Sequence, residues 1–322
     1  MVNCRRYQIK IIIYENLFSN RSSRVYRILC CQSLAGGGKN QVVTIDNLST
    51  GKKEVIPEGC IFIEGNDFDE NVIKQLDKYK FDSIIHIAGQ SSGEISFEKP
   101  VYDLQTNAQS TLMLLNYAKN TGCKEFIFAS SMATYGDKDD PLVSEETLTT
   151  PKSFYAVGKL ASENYMRIYS QMFGIKCTAL RFFNVFGAGQ NMDNLKQGMA
   201  SIYLALAIRD HHITVKGSGN RFRDFVYIDD IVDAVLKSMG REKGGMFEVY
   251  NVSNCRKVHV KDIVSYIEDH LPYKVTHEYV EGTPGDQNGV YGVNDKIKKD
   301  LGWEGKVTFE DGMQRMIDWA LK

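Results

Sequence analysis

The chain lacks any long hydrophobic run. No apolar stretch approaches the ~20 residues needed to cross a bilayer, so no membrane partner is expected. Ile11-Ile12-Ile13 is too short for the core of a secretion signal, and no small-residue cleavage pattern follows it. A charge excess of either sign is also missing. The 39 Lys+Arg and 40 Asp+Glu leave a formal net charge of -1. With no global field, nucleic acid is not an expected partner. The seven cysteines are scattered, only Cys30 and Cys31 are adjacent, and there is no C-x-x-C or Cys/His cluster. No metal site is therefore expected, and a reduced, cytoplasmic setting is the simplest one. Internal repeats and low-complexity tracts are absent.

What remains is ordinary globular composition, 43% hydrophobic and 25% charged, in 322 residues. That length suits one large or two medium domains. Short apolar runs at 41–46, 60–63, 81–88, 125–129 and 177–181 read as buried parallel strands. Helical stretches at 71–79, 107–119 and 154–173 separate them, the second with Leu112, Leu115 and Ala118 inward. This alternation predicts an α/β fold with a doubly wound parallel sheet. After Arg181 the texture changes. Residues 184–194 read as a loop with Gly187 and Gly189, 195–209 as a helix, and 222–235 as a strand followed by a helix opening at Asp229-Asp230. The final part reads as mixed α+β. No clean linker separates it, so a smaller α+β substrate domain interleaved with the first is expected. The division is 1–182 and 225–250 for the first domain, and 183–224 and 251–322 for the second.

Tyr155-Ala-Val-Gly-Lys159 places a phenol and an ammonium four residues apart, which on a helix is one face. A free tyrosine has a pKa of ~10 and is a poor base at neutral pH. A neighbouring cation favours the phenolate and lowers that value. Tuned in this way, Tyr155 can take a proton from a sugar or alcohol hydroxyl while hydride leaves the same carbon. Alone, the pattern is weak, and a surface helix with a partly buried tyrosine is the better reading of it. The surrounding residues decide between the two.

Those residues are Asp46-Asn47-Leu48-Ser49-Thr50-Gly51, Gly65-Asn66-Asp67-Phe68, His86-Ile87-Ala88-Gly89-Gln90-Ser91, Phe128-Ala129-Ser130-Ser131-Met132-Ala133-Thr134-Tyr135-Gly136, Arg181-Phe182-Phe183-Asn184-Val185-Phe186-Gly187 and Arg221-Phe222-Arg223-Asp224-Phe225-Val226-Tyr227. Together with Tyr155 and Lys159 they resemble the extended short-chain dehydrogenase/reductase family, in particular its nucleotide-sugar epimerases. The resemblance runs from Gln41 to the C-terminus.

It implies a Rossmann-type sheet, NAD as cofactor, a UDP-sugar as substrate, and a homodimer through a helical bundle of 107–119 and 154–173. Asp46, Asn47, Ser49, Thr50 and Gly51 would hold the adenosine ribose. A carboxylate there accepts from a ribose 2′-hydroxyl and repels a 2′-phosphate, favouring NAD over NADP. Asp67 and Phe68 would lie at the adenine, with Asn66 where the family has an acid. Ala88, Gly89 and Gln90 would lie beside the pyrophosphate and nicotinamide ribose; His86 receives no catalytic role. Ser131 would be the catalytic hydroxyl, and Ser130 would lie beside the cofactor. Lys159 would tune Tyr155 and hold the nicotinamide ribose. Asn184 would contact the nucleotide sugar, and the fork of Arg223 would grip its diphosphate. A second arginine usual near Gly285-Asp286 is missing, and Arg221 is the candidate to compensate. Tyr291 would stand at the gate beside the sugar C2 substituent.

Dehydratases of the family place an acid and a base directly after the catalytic hydroxyl. Here those positions are Met132 and Ala133, which transfer no protons. The remaining chemistry is oxidation at C4, rotation of the 4-keto sugar and return of hydride, which is 4-epimerisation, and the resemblance makes UDP-glucose and UDP-galactose the expected substrates. The other readings are an epimerase or reductase of another nucleotide sugar, and a binding-only relative.

The family opens with a strand and T-G-x-x-G-x-x-G, whose glycines let a helix N-terminus approach the pyrophosphate. Residues 1–40 contain no such motif, and Gly36-Gly37-Gly38 has the wrong spacing. Read one base on from Tyr14 to Ile28, allowed synonymous codons yield M-K-I-F-L-V-T-G-A-A-G-F-I-G. One expectation is that this segment is an out-of-frame translation, with the frame restored between Ile28 and Gln41. The other is a divergent N-terminus with 9–13 as the first strand. No cofactor residue is assigned in the first forty positions.

Overall fold

The computed structural model describes residues 10–14 (as backbone), 30, 31, 34, 40–48, 56–190, 192, 198–282 and 288–322. Seven parallel strands form one sheet: β1 (Lys10–Tyr14), β2 (Gln41–Asp46), β3 (Cys60–Glu64), β4 (Ser83–His86), β5 (Glu125–Ser131), β7 (Lys176–Phe182) and β12 (Phe247–Val252), in the order β12-β7-β5-β4-β1-β2-β3. Between β5 and β7 lies the two-residue β6 (Leu142–Val143). The chain order reverses between β1 and β4, which opens a crevice at the carboxyl ends of the strands.

Side chains alternate across this sheet. Val43, Ile45, Ile84, Phe126 and Phe128 pack on one face, and Val42, Ile85, Ile127 and Ala129 on the other. With both faces covered, the strands are apolar almost throughout, which is why the sequence shows unbroken runs. The first face is covered by α4 (Ser110–Thr121) and α5 (Phe154–Phe173), through Leu114, Leu115, Ala118 and Met166. Ahead of these come α1 (Glu70–Lys74), α2 (Gly93–Glu98) and α3 (Pro100–Leu104). The Ser153 side chain caps α5 by accepting from Ala156 N, and Gly174, at φ 66, ends it.

Two expectations for these helices need correction. Helix α1 stops at Lys74 rather than running to residue 79. Leu112 is exposed, while Leu114 and Leu115 are buried. A five-residue π turn at Gln105–Gln109 precedes α4, and within α4 the buried face is centred on Leu114, Leu115 and Ala118, which leaves Leu112 on the outer side.

The opposite face carries α7 (Ile228–Ser238) and the smaller elements. Asp229 and Asp230 lie in the first turn of α7, as the sequence suggests. The other helices are α6 (Met199–Asp210), α8 (Val260–His270), α9 (Asp295–Leu301) and α10 (Phe309–Ala320). Short strand pairs join them: β8 (Asn184–Phe186) with β11 (Phe225–Tyr227), β9 (His212–Lys216) with β14 (Thr276–Val280), β10 (Phe222–Arg223) with β13 (Val258–His259), and β6 with β15 (Tyr291–Gly292). The expected loop at 184–194 thus begins as a strand. One apolar cluster runs unbroken from Ile85 and Ile127 of the sheet to Trp303 and Met313. Among the described residues no helix is long and apolar enough to cross a membrane.

Candidate active site

The candidate residues gather at the carboxyl ends of the strands. Asp46 closes β2, and its Oδ1 accepts from Leu48 N at 2.8 Å. Asn47 Nδ2 donates to Asn66 Oδ1 at 2.6 Å, tying the loops after β2 and β3 together. Ser49, Thr50 and Gly51 lie outside the described residues. Asp67 is buried with its Oδ2 3.8 Å from His86 Nδ1, and Phe68 stands edge-on to Tyr102. His86 Nε2 lies 3.1 Å from Thr111 Oγ1 and 3.3 Å from Ser110 Oγ. Burial first, and the Lys159 charge second, hold its pKa well below the ordinary value. His86 is therefore a neutral packing imidazole.

Beyond β4, the Ala88 carbonyl accepts from Lys159 Nζ at 3.4 Å. Gly89 has φ +127, and a Cβ there would lie 2.3 Å from Asn107 Oδ1 and 3.3 Å from Lys159 Nζ, so only glycine fits. Gln90 is engaged within the protein on every side. Its N–H donates to Thr106 Oγ1 at 3.2 Å, its carbonyl accepts from Asn107 Nδ2 at 2.9 Å, and its Nε2 donates to Ser92 O and Asp103 Oδ1, each at 2.7 Å. Its side chain braces the site from behind.

Ser130 Oγ donates to Glu163 Oε1 at 2.5 Å, and Arg181 donates to the same carboxylate through Nε at 2.9 Å and Nη2 at 2.7 Å. This buried pair ties α5 to β5 and β7. Sequence reasoning did not single out Glu163, although Tyr155, Lys159 and Glu163 recur at four-residue spacing on one helix face.

Ser131 ends β5 and accepts from Ala133 N at 3.2 Å, capping the 3₁₀ turn Met132–Tyr135. A hydrogen bond also joins Ser131 to Tyr155, and Lys159 Nζ lies 5.8 Å from the Tyr155 ring centre and 4.6 Å from that of Phe128. The structure thus brings Ser131, Tyr155, Lys159, Ala88 and Gly89 together.

The expected acidification of Tyr155 is not built into the protein alone. Burial pushes its hydroxyl up to about 12, the Ser131 hydrogen bond pulls it down, and the Asp103 charge pushes it up again. Desolvating a phenolate outweighs the single neighbouring hydrogen bond. Asp103 itself is raised to about 6 by burial, against the pull of Gln90, Lys159 and Asn107.

On the substrate side, Ser131 pairs with Phe182, two residues before Asn184. Asn184 Oδ1 is buried without a hydrogen-bond partner among the described residues. Arg223 Nη1 donates to the carbonyls of Phe222 at 2.7 Å and Asn288 at 3.3 Å. Burial, and then Arg221, lower the Arg223 pKa to about 10, which leaves it cationic at neutral pH. Arg221 donates through Nε to Ser218 O at 3.2 Å. The Tyr291 ring stands edge-on to Phe222 at 6.2 Å, with Lys257 Nζ 4.5 Å from its centre.

These features fit a dinucleotide. A carboxylate ends β2, the backbone at Gly89 has no room for a Cβ, and beside it the buried oxygens Asn107 Oδ1 and Asp103 Oδ2 have no hydrogen-bond partner among the described residues. The turn after β1, where a pyrophosphate would be cradled, lies outside the described residues.

Comparison with known proteins agrees. The chain is 28% identical over 274 residues to the UDP-glucose 4-epimerase of Corynebacterium glutamicum, covering 82% of this chain and 83% of that one. It is 27% identical over 247 residues to the UDP-glucuronate 4-epimerase of Thermodesulfobacterium geofontis, covering 76% and 74%. Among solved structures, the Thermotoga maritima UDP-glucose 4-epimerase with UDP-glucose superposes with a TM-score of 0.87 at 27% identity, covering 97% of this chain and 99% of that one. The Thermus thermophilus UDP-glucose 4-epimerase with NAD gives a TM-score of 0.86 at 25% identity, covering 97% and 98%. The profile of the NAD dependent epimerase/dehydratase family matches residues 29–253, most of the chain, and the chain belongs to that family, within the extended short-chain dehydrogenases/reductases.

Proposed function

We propose that the protein is a nucleotide-sugar 4-epimerase acting on UDP-glucose and UDP-galactose, with NAD as its cofactor. The observation that carries this reading is the Ser131–Tyr155 hydrogen bond with Lys159 beside it, at the strand ends where the family binds its dinucleotide. Bound NAD supplies a hydride acceptor and gives the hydride back. Tyr155 takes the proton from the C4 hydroxyl as C4 loses hydride, then returns it to the 4-keto oxygen after the sugar has turned. Ser131 holds that oxygen throughout. Lys159 holds the ribose of the cofactor and favours the phenolate. Met132 and Ala133, the first two residues of the 3₁₀ turn, offer no acid or base for dehydration, which supports the epimerase side of the family.

On the cofactor side, Asp46, Asn47, Asp67, Phe68, Ala88 and Gly89 are the contacts, with Gln90 and Ser130 acting from behind. Asn184, Arg223 and Tyr291 hold the nucleotide sugar, and the unpartnered Asn184 Oδ1 supports its part in this. The domain division read from the sequence stands as part of this proposal. So does a homodimer, supported by exposed apolar side chains on α2 to α5, among them Phe97, Val101, Leu112, Ile168 and Met172. The scattered free thiols support a cytoplasmic setting.

The test is conversion of UDP-galactose to UDP-glucose by the purified protein with NAD, alongside Tyr155→Phe. The variant should lose roughly two or more orders of magnitude in kcat, the usual scale for a general acid–base group, with folding little changed. Near-normal turnover in a folded Tyr155→Phe would overturn the assignment.

A further inference from the structure

Asp224 is fully buried, and among the described residues no charged side chain hydrogen-bonds to its carboxylate. Oδ2 accepts from Ser253 Oγ at 2.9 Å and from Gly292 N at 3.2 Å, and Oδ1 accepts from Asn254 N at 3.0 Å. The backbone N–H of Arg256 also donates to it. These four donors converge on one group, and only an acceptor-only group can satisfy them; an amide would aim its own N–H at some of them. Burial pushes the acid up to about 6 against all four bonds, so the fold bears a cost to hold a carboxylate here.

The position of Asp224 gives that cost a purpose. Arg223 precedes it in the chain. Its carbonyl accepts from Asn184 N at 2.8 Å. Gly292, held by Oδ2, follows Tyr291 and packs tightly, since a Cβ there would lie 2.5 Å from the Phe183 ring and 2.9 Å from Ser253 Oγ. One residue therefore joins three segments from distant parts of the chain, and each carries one proposed substrate contact: Asn184, Arg223 and Tyr291.

We propose that Asp224 is the positioning residue of the nucleotide-sugar site, its carboxylate and carbonyl locking those three segments into one register. Asp224 touches neither substrate nor cofactor. It acts through Arg223, Asn184 and Tyr291, and its role rests on the substrate reading above. The cofactor half of the site, at Ala88, Gly89 and Lys159, lies on other strand ends and does not depend on it.

The test compares Asp224→Asn and the milder Ser253→Ala with the unaltered protein, reading the Kd for UDP, KM and kcat for the UDP-sugar, bound NAD and thermal stability. Loss of a charged hydrogen-bond acceptor is worth roughly tenfold to a hundredfold in an equilibrium constant. Asp224→Asn should therefore raise both KM and the Kd for UDP at least tenfold, with kcat within about threefold and bound NAD unchanged. Ser253→Ala should move the same two quantities in the same direction by about two- to fivefold. A folded Asp224→Asn with parental KM and UDP affinity overturns the role, as does a fall in kcat with KM unchanged. Should Asp224→Asn fail to fold, Ser253→Ala decides: unchanged KM and UDP affinity overturn the proposal. If the unaltered protein does not bind UDP, the substrate reading itself falls and this role with it. If it binds UDP and the variants match it, this role falls alone.

Discussion

The Lys159 ammonium lies 5.8 Å from the centre of the Tyr155 ring, one helical turn along the same face of α5. In the proposed role it favours the phenolate against burial, which pushes the hydroxyl up to about 12. Lys159→Met keeps the stem and removes the charge. The acid limb of the kcat–pH profile should move to higher pH by about one unit or more, because a lost cation raises the phenol's pKa. The kcat at pH 7 should fall by roughly a hundredfold. An unmoved limb would show that Lys159 does not tune Tyr155.

Asp103 supplies a pH test. Its Oδ1 accepts from Gln90 Nε2 at 2.7 Å and Asn107 Nδ2 at 3.2 Å, while Oδ2 has no hydrogen-bond partner among the described residues. Burial raises it from 3.8 to about 6 in the folded protein. A raised carboxylate favours folding below its unfolded value, and that contribution is lost as the pH rises through about 6. Asp103→Asn keeps the accepting oxygen and removes the charge. Its Tm, relative to the parent, should be more favourable at pH 8 than at pH 5 by roughly 1–2 °C, the scale of about 1 kcal/mol in a chain of this size. Equal differences at both pH values would contradict the raised pKa.

Much of this arrangement was legible in the sequence. The strand at 41–46 and the helix at 154–173 match the structure residue for residue, because their apolar patterns are long and bounded by cap residues. Ser131, Tyr155 and Lys159 come together because a strand end and one helix face fix them. The rest depends on tertiary packing. Nothing local marks the π turn ahead of α4, or the inward turn of Ser130 and Gln90 toward Glu163 and Asp103. The raised pKa of Tyr155 follows from desolvation, which no spacing reveals. The hub at Asp224 joins residues 68 positions apart in the chain.

Tyr291 stacks edge-on against Phe222 beneath Lys257, which fixes a bulky ring at the proposed gate. Overfilling a packed pocket costs roughly 1–3 kcal/mol, enough to separate two sugars by about tenfold or more. UDP-glucose should therefore be preferred over UDP-N-acetylglucosamine, and Tyr291→Ser should narrow the gap. The check is kcat/KM for both sugars in both proteins. Equal values in the parent, or no relative gain for the acetylated sugar in the variant, would remove Tyr291 from this role.

The N-terminus yields a genetic prediction. The family match begins at residue 29, inside the interval where a shifted frame would be restored. Strand β1 at Lys10–Tyr14 takes the place between β4 and β2 in the sheet, one residue along from the run at 9–13, while the segment that reads as T-G-x-x-G-x-x-G one base on lies outside the described residues. We propose that the genomic DNA over Tyr14 to Ile28 encodes that motif in the adjacent frame. A chain carrying it should then bind NAD far more tightly than the chain as it stands. Codons unable to yield glycine at those positions would refute the frame proposal, and tight NAD binding by the present chain would refute its consequence.

The central claim is hydride removal and return at C4 within one site. The direct measurement follows UDP-galactose carrying deuterium at C4 through turnover with NAD in ordinary water. The account predicts UDP-glucose with the deuterium still at C4, no solvent hydrogen entering C5, and no stoichiometric accumulation of reduced cofactor. Deuterium lost to solvent, a dehydrated 4-keto-6-deoxy product, or net reduction of the cofactor would contradict it.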